Sequence, residues 1–261
     1  MNRVGKKLAT YLSQPLEMDR HVATSRYEDL AATIKKGDIL LVEGNSRIST
    51  AIKYLTQSTW SHAALCQGEG LGHARINPKE PFLVEADLKE GVRAVPLSFY
   101  SRFHTRICRP VGLVEKDIDT VVDYAVSRIG NTYDLKNVFD LARYLIQSPP
   151  VPQRWRRKLL SLGSGDPTKA ICSSMIAQAF QSVHYPILPE VLMKNSQEMA
   201  CRRCYREILH IKHYSLFMPR DFDASPYFEI IKPTLVRGFN PYEIEWSVQD
   251  GTLEANIQSL T

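Results

Sequence analysis

The sequence predicts an α+β fold on three observations. Short apolar segments bounded by glycine, proline and other turn residues crowd between residues 37 and 110. Longer segments with apolar residues every three or four positions follow them, and no internal repeat is present. A chain of 261 residues, 44% hydrophobic and 23% charged, has the length and composition to bury a core of its own. A net charge of +5 is too small and too scattered to predict a nucleic-acid partner.

The elements follow in order. Residues 1–34 read as an N-terminal helical arm, in which "RYEDLAATI" puts Tyr27, Leu30, Ala31 and Ile34 on one face. "KKGDILLVEG" is a turn at Gly37, an apolar strand and a second turn at Gly44. "SRISTAIKYLTQ" predicts a short helix capped by Ser46, with Ile48, Ile52 and Leu55 on a shared face. "SHAALCQG" is a strand, "PFLVEAD" and "GVRAVPL" form a hairpin, and "FHTRICRPV" is a further strand. Their closeness in sequence predicts antiparallel pairing.

Helical periodicity then takes over. "EKDIDTVVDYAVSRIG" predicts a helix closed by Gly130, and "YDLKNVFDLARYLIQ" a second one opened by Asp134. Residues 147–170, rich in proline, glycine and basic residues around Trp155, interrupt the pattern as an insertion or lid. "KAICSSMIAQAF" resumes it as a helix, "MPRDFDASPYFEIIKPTL" reads as a turn and a last strand, and residues 239–261 form a tail. One domain over 35–238 is expected.

The five cysteines, at 66, 108, 172, 201 and 204, form an odd set. They predict reduced thiols and a cytoplasmic setting, as does the lack of a signal-like or membrane-length apolar run. Cys172 stands where a polar loop meets an apolar helix. There the unpaired amides favour a thiolate, although a small buried residue would also fit. A cysteine nucleophile needs an imidazole, and the imidazole needs an orienting group. His62 opens an apolar strand; His73, His104 and His184 lack such a setting, and His21 lies in the arm. Glu85 is surrounded by Phe82, Leu83, Val84 and Ala86, so its carboxylate must find a partner or lie at a solvated edge. Cys201, Cys204, His210 and His213 suit zinc by residue type but not by spacing, so no metal and no cofactor is expected.

In this order, "GDILLVEG", "WSHAAL", "FLVEADLKEGV", "GNTYDL", "ICSSMIAQAF" and "SPYFEI" resemble the permuted papain-like amidohydrolases of the NlpC superfamily, the YaeF/YiiX-like group. The resemblance implies a small antiparallel sheet or barrel packed against the helix that opens at Cys172. It implies Cys172 as nucleophile, His62 as general base and then acid, and Glu85 as the group orienting His62. It also implies a place for Tyr133 near the substrate; Trp155 in the insertion would face substrate or a membrane surface. The expected substrate is a small-molecule, peptide or lipid amide. An acyltransferase with the same thioester, or a non-catalytic binding module, remains open as an alternative.

Overall fold

In the computed structural model, residues 10–15, 23, 25–69, 80–131, 171–195, 205–210 and 213–243 are described. Tyr133, Trp155, the helix predicted from Tyr133, the insertion 147–170, Cys201 and Cys204 lie outside the described residues.

Strand β1 (Ile39–Glu43) carries the apolar run Ile39–Val42, buried on both faces. It pairs antiparallel with β2 (His62–Glu69) on one side and β5 (His104–Pro110) on the other. β3 (Pro81–Asp87) and β4 (Gly91–Pro96) form the expected hairpin beyond β2, and β8 (Phe228–Ile231) adds to β5. Among the described residues the order β4-β3-β2-β1-β5-β8 leaves β4 and β8 as edges, so this sheet is open and not a closed barrel. Two further strands, β6 (Glu190–Asn195) and β7 (Tyr205–His210), pair as a separate two-stranded sheet.

Local chemistry explains the helices. α2 (Arg47–Thr56) starts at Ser46, whose hydroxyl accepts from the Ser49 amide as the sequence predicts. α3 (Glu115–Val126) has Glu115 and Asp117 in its first turn, where carboxylates complement the helix dipole. It ends at Val126, earlier than the glycine signal suggested: Gly130, at φ +90°, closes a following turn and donates to the Val92 carbonyl on β4. α4 (Ile171–Ser182) is the helix expected around Cys172. The predicted turn near residue 220 is instead a short helix, α5 (Pro219–Asp223), with proline at its start and Asp221 bonded back to the Met218 amide. α1 (Tyr27–Thr33) and α6 (Pro233–Val236) pack together.

The pleat sorts side chains into two cores. On one face Ile39, Leu41, Ala63, Leu65, Val84, Ala86 and Val92 meet α3 and α4 through Val122, Met175, Ile176 and Phe180. On the other, Leu40, Val42, Ala64, Cys66 and Leu83 meet Leu30, Leu97 and Tyr100. Gly37 lets α3 close on the sheet: at φ +85° any Cβ would stand 2.8 Å from Ile118 Cγ2. No helix among the described residues is long and apolar enough to cross a membrane.

Candidate active site

Glu85 is the centre of the site. It sits in β3 between Val84 and Ala86, which point into the helix-side core, so its carboxylate emerges on the opposite face. Only 2% of it is exposed. A carboxylate taken that far from water needs donors, and the fold supplies them from three elements. His62, the first residue of β2, places Nε2 2.7 Å from Glu85 Oε2. Arg93 stands directly across the hairpin and donates from Nε to Oε1 at 2.8 Å. Tyr100, on the 3-10 turn Leu97–Tyr100 that follows β4, donates its hydroxyl to Oε2.

Burial alone would push the Glu85 carboxyl up. The hydrogen bond and charge of His62, the Tyr100 hydroxyl and the Arg93 guanidinium outweigh it and hold the group down at about 2. At neutral pH Glu85 is therefore ionised and can only accept, so the proton on the His62–Glu85 contact resides on Nε2. Chemically this orients the ring through Nε2 and assigns any proton exchange with a nucleophile to Nδ1. The His62 side chain keeps 22% of its surface exposed, a reachable ring on a buried anchor.

Cys172 lies in the first turn of α4, the position expected for it. Its thiol falls outside the described side chains. The helix body is well defined by Met175, Ile176, Ala179 and Phe180, all buried. Phe180 stacks edge-on against Phe228 of β8, while the helix packs on β2 and β3. The pleat sets His62, paired with Val42, and Glu85 on the face away from α4. The helix that opens with Cys172 thus covers the sheet that carries the His–Glu pair, but from its other side.

Three features escaped the sequence, the Tyr100 hydroxyl among them. Arg93 was legible in principle, because a turn that pairs Asp87 with Gly91 brings Glu85 opposite Arg93 two steps on. His104, set aside for want of a setting, has one: Nδ1 lies 3.0 Å from Glu43 Oε2, Lys53 bonds the other oxygen, and the ring packs on Trp60. This second His–Glu pair points to the α4 side, since Glu43 and His104 follow the parity of Ile39 and Leu41. Two other cysteines are poor nucleophiles: burial pushes the Cys66 thiol up to about 12, and Cys108 is raised for the same reason. Among the described residues no group of three His, Cys, Asp or Glu side chains could hold a metal ion. A cavity of about 650 Å³, lined by Tyr27, Lys35, Gln67, Glu80 and Asp123 among others, sits at the far end of β2 from His62.

Residues 33–144 match the family described as permuted papain-like amidase enzyme, YaeF/YiiX, C92 family. The matched span contains His62, Glu85, Arg93 and Tyr100 and stops before Cys172. The α+β architecture agrees with that family. Among solved structures, the chain is similar to the metalloprotein yiiX from Escherichia coli O157:H7 (DUF1105), at 16% identity and a TM-score of 0.43, over 76% of this chain and 96% of that one. Comparison with curated proteins gave no match.

Proposed function

Because residues 33–144 carry the pattern of permuted papain-like amidases, we propose that the protein is a cysteine amidase whose nucleophile is Cys172. His62 takes the thiol proton on Nδ1, and the thiolate attacks the carbonyl carbon of an amide. The amine leaves with a proton returned from the imidazole, leaving a thioester on Cys172. Water, deprotonated by the same nitrogen, then releases the acid. Glu85 holds Nε2–H throughout and stabilises the imidazolium. This reading requires the start of α4 to meet His62 where β2 begins, because the pleat sets His62 on the face of the sheet away from that helix. Helix-start amides at Cys172 are suited to the tetrahedral oxyanion.

The observation that carries this reading is the buried Glu85 carboxyl bonded at 2.7 Å to a partly exposed histidine. A carboxylate so placed serves little purpose in stability that an apolar residue would not serve better. The substrate class is an amide of a peptide, a cell-wall peptide or an N-acyl lipid, and a peripheral contact of 147–170 with a membrane surface would suit the last. Iodoacetamide labelling of the five cysteines, followed by peptide mass spectrometry across pH, tests the reading. Cys172 is expected to react first, and below the ordinary thiol range; equal or slower reaction than the other four refutes it.

A further inference from the structure

Resting on that reading of the site, we infer that Arg93 and Tyr100 are positioning residues, which share the charge of Glu85 and so set how tightly His62 holds its second proton. The geometry behind this is a division of one carboxylate among three donors. Oε1 is occupied by Arg93, while Oε2 takes both His62 and the Tyr100 hydroxyl. Every donor hydrogen drawn onto the carboxylate reduces the negative potential felt at the imidazole. An imidazolium facing a bare buried carboxylate would keep its proton too firmly to return it to a leaving amine.

Arg93 is itself fixed. Its Nη1 donates to Glu90 at 2.7 Å, Asp87 lies 3.8 Å from Nη2, and its guanidinium rests on the exposed Phe99 ring. A planar fork reaching two carboxylates at once is a geometry lysine cannot reproduce. Tyr100 is equally constrained, buried between Phe99 and Phe103 with edge-on ring contacts to both. Among the described residues, the charged and titratable groups around the His62–Glu85 pair include Arg93 from β4 and Tyr100 from the 3-10 turn, with Asp87 and Glu90 reaching Arg93 from the hairpin end. Both positioning residues lie within the chain segment 81–100, apart from Cys172, so their role can be read without turnover.

The test is nitrogen-15 NMR of the imidazoles in the full chain, with His62 assigned by loss of its signals in His62→Gln. Wild type is expected to show His62 in the Nε2–H tautomer at neutral pH. Removing either donor leaves more charge for the imidazole, so Arg93→Met and Tyr100→Phe should each raise the His62 midpoint by about one pH unit. Tyr100→Phe keeps the ring packing and loses only the hydroxyl, which keeps the experiment interpretable if Arg93→Met does not fold. Arg93→Lys, retaining a cation beside Oε1, should return the midpoint toward wild type. Midpoints unmoved or lowered in both variants overturn the inference. Cys172 labelling rates measured on the same samples separate the two ideas. Shifted His62 midpoints with an inert Cys172 would leave this inference standing and defeat the amidase reading, and unmoved midpoints with a reactive Cys172 would do the reverse.

Discussion

Glu85→Gln is the perturbation whose magnitude the structure sets most directly. The carboxyl is brought from its ordinary 4.5 down to about 2 by the donors around it. Because the folded value lies below the unfolded one, the folded state binds protons less readily, and the resulting stability is fully present above about pH 5. It is lost as pH falls through the range from 4.5 toward 2. A gap of two and a half pH units at about 1.4 kcal/mol each amounts to about 3–4 kcal/mol. Glutamine keeps the shape and an accepting oxygen but does not titrate. Urea unfolding of wild type and variant at pH 7, 5, 4 and 3 measures the difference; groups away from Glu85 subtract out, while protonation of His62 beside the carboxylate adds to the wild-type advantage as pH falls from 7 to 5. The wild-type advantage should be no smaller at pH 5 than at pH 7 and should shrink steadily below pH 5, the Glu85 part approaching a loss of about 3 kcal/mol near pH 2. An advantage that is the same at pH 3 as at pH 7 would refute the reasoning, since Glu85 would then not be held ionised by its partners.

Two further predictions concern the scaffold. Asp38, 1% exposed, accepts from Arg109 Nε and Nη2 at 2.8 and 2.7 Å, and Arg109 also reaches the Thr33 carbonyl. Arg109→Ala strands that carboxylate and should cost about 3–5 kcal/mol in urea unfolding, and a loss under about 1 kcal/mol would contradict it. Ser174 on α4 buries a hydroxyl without a hydrogen-bond partner. Ser174→Ala removes the unsatisfied group and improves helix propensity, so it should stabilise by about 1 kcal/mol and raise Tm; a fall in Tm would show that the hydroxyl is bonded.

The strands and helices that frame the site were legible because their signals are local. The apolar run of β1, the Ser46 cap and the 3.6-residue period through Met175, Ile176, Ala179 and Phe180 each fix an element from its own residues. The His62–Glu85 pair was half legible: a carboxylate among apolar neighbours demands a partner, but only the β2–β3 register delivers His62 to it. Tyr100 was not legible, since its hydroxyl returns to Glu85 through a 3-10 turn that no periodicity announces. Glu43 and His104 meet through the β1–β5 pairing, 61 residues apart, and such long-range register is invisible in one sequence. The helix α5 hid in a short "MPRDF" segment, although its proline start and Asp221 were the signal that marked it.

The central claim, a thioester on Cys172 formed with the help of His62, is tested most directly by trapping it. Wild-type protein is exposed to a mixed pool of peptide, cell-wall peptide and N-acyl lipid amides, quenched in acid and weighed by mass spectrometry. An acyl mass on the Cys172 peptide is predicted, lost in Cys172→Ala and His62→Ala and retained in His104→Ala. Amide cleavage that survives Cys172→Ala would contradict the account.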